Sequence, residues 1–359
     1  MASVFNFNAG PAAMPRAVLE KAQIELMENA GTGMSVMEMS HRSKEFREII
    51  DNAASGVRRL LRVPETHAIL FLQGGASLQF AMVPMNLRRP GKSADYVDTG
   101  VWASKAIREA QITGRVNVAW SGQEDGYSRA PKPSELSLRS DAEYLHICSN
   151  ETIGGVQWTG LPETEAPIVA DMSSEILSRV IDVSRFGLIY AGTQKNLGPS
   201  GLAIVIIRKD LAERAPKDVP IILRYSTHIA DGSLYNTPNT WGVYMVRLIC
   251  DWTEAQGGVR TIQELNEKKA AALYAALDSS SFWLCPVEKE SRSTMNVVWR
   301  LSSEALEDRF VTDAEKEGLF GLRGHRISGG IRASIYNAVP PEAVDTLVSF
   351  MKEFERRNG

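Results

Sequence analysis

A lysine lies in the middle of a segment whose two flanks are typical of buried strands. Residues 186–191 and 202–207 are apolar runs, and the segment "AGTQKNLGPSG" between them contains Lys195 and a turn rich in glycine. Loop lysines are usually solvated, but here we expect both runs to enter the core and to remove the amine partly from water. Loss of hydration lowers the pKa of a lysine and makes its amine available as a nucleophile and proton carrier. The segment therefore predicts a reactive lysine.

Two more side chains follow apolar runs in the same way. Asp171 ends the run "PIVAD", and Trp102 comes shortly after the run "ADYVD". Each has an ordinary structural interpretation, because an aspartate here favours a helix N-cap and the tryptophan fits the core face of a helix. The functional interpretation is a carboxylate directed at a cationic nitrogen and an aromatic plate stacked on a flat ring.

The segment "LQGGASLQF" (residues 72–80) predicts a strand, a glycine turn and the start of a helix. Glycines let the backbone approach an anion closely, and the free N–H groups of a helix N-terminus suit a phosphate. The pair of glycines alone is more often a tight turn, and it matches neither a Walker A loop nor a dinucleotide motif. A phosphate cradle, a stacking aromatic, a carboxylate and a reactive lysine are together the parts that a pyridoxal-phosphate site requires.

An alternation of apolar runs with helical periodicity positions these residues. Strands that alternate with helices predict βαβ units and a largely parallel sheet that helices cover on both faces. Ligands bind beyond the carboxyl ends of such strands, so the polar residues that follow the runs should meet in one crevice. The predicted strands are residues 68–72, 94–100, 143–149, 166–173, 186–192 and 202–207.

The pattern changes after two predicted helices at residues 240–256 and 261–278. Beyond them two strands and two helices alternate, which predicts a smaller α+β domain. We therefore expect a large domain over residues 16–260 and a small C-terminal domain over residues 261–359, to which residues 1–15 add.

Basic residues form a second cluster of candidates. His41 and Arg42 precede a helix predicted from about residue 43, where the helix dipole disfavours cations unless an anion is bound. The segment "GLRGHRISGGIRASIYNA" places further cations among glycines. These are either a solvated basic loop or a site where arginines bind carboxylate and phosphate. The cations of this segment are Arg323, His325, Arg326 and Arg332.

The composition limits the class of protein. The chain has 359 residues, with 44% hydrophobic and 23% charged residues, which is typical of a globular enzyme. A formal net charge of −3 gives no reason to expect nucleic acid or an anionic membrane as a partner. The three cysteines are far apart and the histidines lack zinc-binding spacing, so we expect a cytoplasmic protein without a metal site.

The motifs in sequence order resemble those of the class V aminotransferases, which use pyridoxal 5′-phosphate (PLP) and have fold type I. The matching blocks are "GTGMSVMEMSHRS", "GGASLQF", "CSNETIGGVQW", "VADMSSEILSR", "AGTQKNLGPSG", "LYNTPNTW" and "GHRISGGIRASIYNA". The resemblance extends from "FNFNAGPAAMP" to the C-terminal helix. The histidine–arginine pair and the last block are similar to those of the members that act on phosphoserine.

The resemblance implies a role in cofactor binding for several residues. Lys195 would bind PLP covalently, Asp171 would pair with its ring nitrogen, Trp102 would stack on its ring, and Thr152 would hydrogen-bond near its phenolic oxygen. Some family members carry an arginine or cysteine near position 77, where this chain has serine, so only backbone binding of phosphate is implied there. The cofactor phosphate would be held by Ala76, Ser77 and Gln194, joined by Asn236 and Thr237 of the partner subunit in a homodimer.

The resemblance also implies the substrates. Arg332 would bind the α-carboxylate, and His41, Arg42, His325 and Arg326 would surround a distal phosphate or carboxylate, some of them from across the dimer interface. The implied reaction transfers the amino group of phosphoserine to 2-oxoglutarate and gives 3-phosphohydroxypyruvate and glutamate, a step of serine biosynthesis. The residues leave open whether 4-phosphohydroxythreonine, a substrate in pyridoxine biosynthesis, is also accepted.

Three alternatives remain at this point. The chain could be another class V enzyme, such as an alanine–glyoxylate aminotransferase, or a cysteine desulfurase, which needs a mobile cysteine. Cys148 lies near Thr152 but on a predicted strand, which disfavours the desulfurase. A catalytically silent protein that binds a phosphate ligand is the third alternative, and the intact set of Lys195, Asp171 and Trp102 disfavours it.

Overall fold

A sheet of seven strands forms the centre of the fold. The computed structural model describes residues 4–359, in which there are eleven strands and ten helices. The strands are β1 (Phe5–Asn6), β2 (His67–Gln73), β3 (Ser93–Asp98), β4 (Val116–Ser121), β5 (Ala142–Cys148), β6 (Ile168–Asp171), β7 (Phe186–Gly192), β8 (Leu202–Arg208), β9 (Asn296–Trp299), β10 (Leu319–Phe320) and β11 (Ile331–Ser334). The helices are α1 (Arg16–Ile24), α2 (Lys44–Leu61), α3 (Gly75–Leu87), α4 (Val101–Thr113), α5 (Lys209–Ala212), α6 (Tyr225–Ala230), α7 (Thr240–Ala255), α8 (Gly258–Asp278), α9 (Glu304–Lys316) and α10 (Pro341–Asn358).

The order of strands in the large sheet is β2-β8-β7-β6-β5-β3-β4. Strand β8 runs antiparallel to both of its neighbours, and the remaining pairs are parallel. The prediction of a mainly parallel sheet is confirmed. The edge strand β4 was not predicted, because "VNVAWS" is mostly half-buried or exposed and lacks the continuous apolar character of the central strands.

Helices cover both faces of this sheet. Along β8, Ile204 and Ile206 face a core that they share with α2 and α7, whereas Val205 and Ile207 face a core shared with α3 and α4. This alternation is the period of two that a strand imposes on its side chains. Helix α2 starts where it was predicted, because the Oγ of Ser43 accepts a hydrogen bond from the backbone N–H of Phe46 at 3.2 Å.

A separate hydrophobic core lies in the C-terminal part of the chain. The ring of Phe310 in α9 is fully buried and contacts the edges or faces of four other aromatic rings. Phe7 from the N-terminal segment belongs to the same core, and β1 pairs in parallel with β10. The predicted boundary at residue 260 stays a prediction, and residues 1–3 of the predicted small domain lie outside the described residues.

None of the helices in residues 4–359 combines the length and the apolar character that crossing a bilayer requires.

Candidate active site

A cavity of about 370 Å³ opens at the carboxyl edge of the parallel strands. The loops after β2, β3, β5, β6 and β7 all reach it, and β8, which is antiparallel, begins beside it. This is the position at which open parallel sheets bind ligands. Seven of the predicted site residues line the cavity: Ala76, Ser77, Trp102, Thr152, Asp171, Gln194 and Lys195.

The amine of Lys195 is buried inside this cavity. The residue is 9% exposed, and its Nζ donates a hydrogen bond to the Oγ1 of Thr152 at 2.6 Å. Burial lowers the pKa of Lys195, although the nearby carboxylate of Asp171 acts in the opposite direction. The structure thus agrees with the expected loss of hydration at this lysine.

Asp171 ends β6 with its carboxylate buried and fixed on one side. Its Oδ1 accepts hydrogen bonds from the backbone N–H of Ser173 at 2.9 Å and from the Oγ of Ser173 at 2.7 Å. The interpretation of Asp171 as a helix N-cap is wrong, since turns and no helix follow it. Burial raises the pKa of Asp171, while the bonds from Ser173 and the charge of Lys195 lower it.

Trp102 lies in the first turn of α4 and is half-buried at the cavity wall. The Nζ of Lys195 lies 5.8 Å from the centroid of the indole ring, so the indole and this amine line the same space. The Nζ of Lys105 lies 4.3 Å from the same centroid. Within residues 4–359 the buried indole Nε1 has no hydrogen-bond partner.

The N-terminus of α3 forms another part of the wall. Gly74 and Gly75 have φ values of +86° and +60°, which a residue with a Cβ rarely adopts, and they turn the chain sharply into the helix. No side chain caps this helix, and its first turn has no acidic residue. Its first N–H groups therefore remain available to an anion, as the sequence predicted.

Arg332 of β11 approaches the cavity from the C-terminal part of the chain. Its Nη1 donates a hydrogen bond to the carbonyl oxygen of Thr152 at 3.3 Å, and its buried Nε has no partner within residues 4–359. The pKa of His325 is lowered by burial and by the charges of Arg332, Lys105 and Arg326. The charges of these side chains therefore act on His325.

The remaining predicted residues do not line the cavity of this chain. His41 and Arg42 lie in the turn before α2, and Arg42 is exposed. Asn236 and Thr237 lie beside Gln73 at the end of β2. The Nδ2 of Asn236 donates a hydrogen bond to the Oε1 of Gln73 at 2.7 Å, and the Nε2 of Gln73 donates one to the carbonyl oxygen of Thr237 at 2.9 Å. The expectation that they act from a neighbouring subunit stays a prediction.

Arg323, the other cation noted in the last basic segment, does not join the cluster, because its side chain is paired with Asp308 at the surface.

Several buried residues beside the cavity were not predicted as site residues, and two of them hold predicted ones in place. Ser173 follows Asp171 by two positions, and the pattern Asp-x-Ser could have indicated the turn that it forms. Glu151 is 0% exposed and accepts hydrogen bonds from the start of α4. No local pattern indicates the contact of Glu151 with α4, because 48 residues separate Glu151 from Ala103.

Comparison with known proteins defines the class. The model of the aminotransferase class-V family matches residues 4–347. The chain therefore belongs to the class V aminotransferases. The phosphoserine aminotransferase of Geobacillus kaustophilus is 53% identical over 358 residues, which cover 99% of this chain and 99% of that protein. Within the class, the chain thus belongs to the phosphoserine aminotransferase family.

Solved structures agree with this assignment. The structure of phosphoserine aminotransferase from Bacillus circulans subsp. alkalophilus has a TM-score of 0.98 and 50% identity, with 99% of each chain covered. The PLP-bound phosphoserine aminotransferase of Trichomonas vaginalis has a TM-score of 0.93 and 38% identity, with 98% of this chain and 100% of that chain covered. The predictions of fold type I and of PLP as the cofactor are confirmed.

The residues present in the cavity fit PLP. The N-terminus of α3 has no side-chain cap and suits the phosphate. Both hydrogen bonds that the carboxylate of Asp171 accepts within residues 4–359 go to Oδ1, so Oδ2 remains to pair with a ring N–H. The amine of Lys195 lines the same cavity as these two features, as covalent binding of an aldehyde requires.

Proposed function

We propose that the chain is a PLP-dependent phosphoserine transaminase that transfers the amino group of O-phospho-L-serine to 2-oxoglutarate. The products are 3-phosphohydroxypyruvate and L-glutamate. One observation carries the proposal: a buried lysine amine, a buried carboxylate and an uncapped helix N-terminus line the same cavity. The identity of about half of all residues with phosphoserine aminotransferases supports the choice of substrate.

The cofactor would be held by residues from five loops. In this proposal Lys195 binds it covalently, Asp171 pairs with the ring nitrogen, Trp102 stacks on the ring and Thr152 contacts it near the phenolic oxygen. When bound, PLP supplies an electron sink for the negative charge that develops at the substrate Cα. The phosphate is held by Ala76, Ser77 and Gln194, together with Asn236 and Thr237 of the partner subunit.

Lys195 has the environment of a proton carrier. Burial lowers the pKa of its amine, so the neutral form needed to accept a proton is more accessible than in water. The amine would take the proton from the substrate Cα in the first half of the reaction and return one to the new amino acid in the second. The hydroxyl of Thr152, 2.6 Å from Nζ, orients the amine for both transfers.

The basic residues would select doubly anionic substrates. Arg332 has a buried Nε without a partner in residues 4–359, which supports its role in binding the α-carboxylate. His325 and Arg326, with His41 and Arg42 of the partner subunit, would bind the distal phosphate of phosphoserine or the distal carboxylate of glutamate.

The proposal includes a homodimer, because seven of the fourteen predicted site residues do not line the cavity of their own chain. Four of these seven would reach the cavity of the partner subunit: His41, Arg42, Asn236 and Thr237. Exposed apolar side chains precede His41 in sequence and are suited to an interface: Ile24, Leu26, Met27, Met34 and Met37. The free cysteines in residues 4–359 further support a reducing compartment, and we place the enzyme in the cytoplasm.

A panel of amino donors with 2-oxoglutarate tests the proposal. We expect phosphoserine to be the best donor, with alanine and cysteine much poorer, and glutamate formation to be the measured signal. The variants R42A and R326A should lose activity with phosphoserine while they keep their affinity for PLP. Equal losses for phosphorylated and unphosphorylated donors would exclude a phosphate-binding role for these arginines.

The same panel decides between the remaining candidates. 4-Phosphohydroxythreonine, whose phosphate is on the oxygen of C4, also presents a distal phosphate and belongs in the panel. Cys148 does not support a desulfurase, because it is buried and burial raises the pKa of its thiol well above the ordinary value. A protein that binds PLP but forms no glutamate from any donor would favour the silent binding protein.

A further inference from the structure

The start of α4 is held by a carboxylate from a distant part of the chain. The Oε2 of Glu151 accepts a hydrogen bond from the backbone N–H of Trp102 at 3.2 Å, and its Oε1 accepts one from that of Ala103 at 2.9 Å. Because both oxygens accept from N–H donors, the geometry uses the ionised carboxylate. A protonated oxygen is a weaker acceptor for these N–H groups than an ionised one.

Three other helices within residues 4–359 are capped by a local side chain. Ser43, Asn239 and Ser303 cap α2, α7 and α9 from the position immediately before each helix. Helix α4 has Gly100 at that position and receives its cap from Glu151. Burial raises the pKa of Glu151 to about 7, so an ionised carboxylate is a costly substitute for a serine cap.

The packing around Glu151 fixes its position. A Cβ at Gly100 would lie 2.8 Å from the Cδ and 3.0 Å from the Cγ of Glu151, so only glycine leaves room for this side chain. On the other side, the next residue, Thr152, receives the hydrogen bond of the Lys195 amine at 2.6 Å. Glu151 therefore joins the backbone of Trp102 to the segment that orients the lysine.

We propose that Glu151 is a positioning residue that holds the indole of Trp102 in place against the PLP ring. This inference rests on the proposed cofactor site, in which Trp102 stacks on the ring. A cap that only stabilised the fold could be local and uncharged. The carboxylate of Glu151 instead couples the stacking residue to Thr152 and so sets the distance between the two walls of the cavity.

The test measures PLP binding to the apoenzyme of each variant. In E151Q one acceptor oxygen becomes an NH₂ donor that opposes a backbone N–H, and we expect the dissociation constant of PLP to rise about tenfold to a hundredfold. The visible circular dichroism of bound PLP should change with it. E143Q is the matched control, because Glu143 is buried on β5, the strand that precedes Glu151, and pairs with Arg89 at 2.8 Å outside the cavity. Its PLP dissociation constant should stay within about twofold of the wild type.

A double-mutant cycle separates positioning from general stability. If Glu151 acts through Trp102, adding E151Q to W102A should weaken PLP binding less than about threefold further, since the stacking contact is already lost. The proposal would be overturned if the increase in the PLP dissociation constant of the double variant equalled the product of the increases in E151Q and W102A. So would an E151Q enzyme with a lower melting temperature but unchanged PLP affinity and dichroism.

A second variant covers the case in which E151Q does not fold. G100A displaces the carboxylate of Glu151 by steric contact and keeps its charge. G100A should weaken PLP binding, as E151Q does, and it should add less than about threefold to the loss of PLP affinity when it is combined with W102A. Unchanged PLP affinity in G100A and E151Q, with weakened affinity in W102A, would refute this inference alone. A W102A enzyme that binds PLP as tightly as the wild type would refute the proposed stacking itself.

Discussion

Ser173 holds the carboxylate of Asp171 in one orientation, and its removal tests how the site controls the ring nitrogen. The Oγ of Ser173 donates to Oδ1 at 2.7 Å and itself accepts from the backbone N–H of Gly192 at 3.0 Å. The variant S173A removes the hydrogen bond to Asp171 and leaves the backbone N–H of Gly192 buried without an acceptor. The backbone bond from residue 173 to Oδ1, at 2.9 Å, is retained.

The magnitude follows from the charge of the acceptor. A hydrogen bond to a charged group contributes about 1.5–3 kcal/mol. The bond lowers the pKa of Asp171 against the effect of burial, so its loss raises that pKa and disfavours the ionised form that would pair with the ring N–H. We therefore expect kcat/KM for phosphoserine to fall about tenfold to a hundredfold, since about 1.4 kcal/mol corresponds to a factor of ten. The pH dependence of the PLP absorbance should shift in the same variant.

The chain contains a matched control for this experiment. The Oγ and backbone N–H of Ser184 donate to the Oδ1 of Asp182 at 2.6 Å and 3.0 Å, which repeats the Ser173 geometry at an exposed position. S184A should change kcat/KM by less than about twofold, because a solvated bond of this kind contributes little. If S173A lost no more activity than S184A, the orientation of Asp171 would not depend on Ser173.

Three further predictions concern the C-terminal part of the chain. Lys269 donates to three buried backbone carbonyls within residues 335–339, so K269M should lower the free energy of unfolding by about 3 kcal/mol or more in a urea titration. The control K316M, at an exposed lysine, should change the free energy of unfolding by less than about 0.5 kcal/mol. Equal changes in the two variants would contradict the structural role of Lys269. R332K should raise KM for phosphoserine about tenfold and leave PLP affinity unchanged in titrations, because lysine cannot form the paired bonds of a guanidinium with a carboxylate; a loss confined to kcat would contradict that. The pKa of His325 is lowered by burial and neighbouring cations, and a bound dianion favours the charged imidazole, so binding of phosphoserine near neutral pH should take up a proton. Calorimetry in buffers of different ionisation enthalpy should show this uptake, reduced in H325N, and proton release would contradict it.

The sequence was sufficient to predict the architecture of the large sheet and the edge that carries the site. The central strands are buried on both faces, so each appears in the sequence as a continuous apolar run that ends where the cavity begins. The edge strand β4 was missed for the opposite reason, because half of its environment is solvent. The fold and the positions of Lys195 and Asp171 therefore followed from local patterns.

Contacts between distant segments could not be predicted in this way. Asp171 was interpreted as a helix cap because the residues after it can be helical, and only the tertiary structure directs them into turns. The contact of Glu151 with the start of α4 crosses 49 residues. In the proposed homodimer His41 and Arg42 would reach the cavity of the partner subunit, and the order of residues in one chain does not specify how two copies meet.

The most direct test of the proposed site is to locate PLP on the protein. Borohydride treatment makes the bond between PLP and its lysine stable, so digestion and mass spectrometry can identify the modified peptide. We predict that the label lies on Lys195 in the wild type and that K195A, which keeps the phosphate cradle of α3, shows no covalent label and no glutamate formation from phosphoserine. A label on any other lysine, or full activity in K195A, would contradict the account.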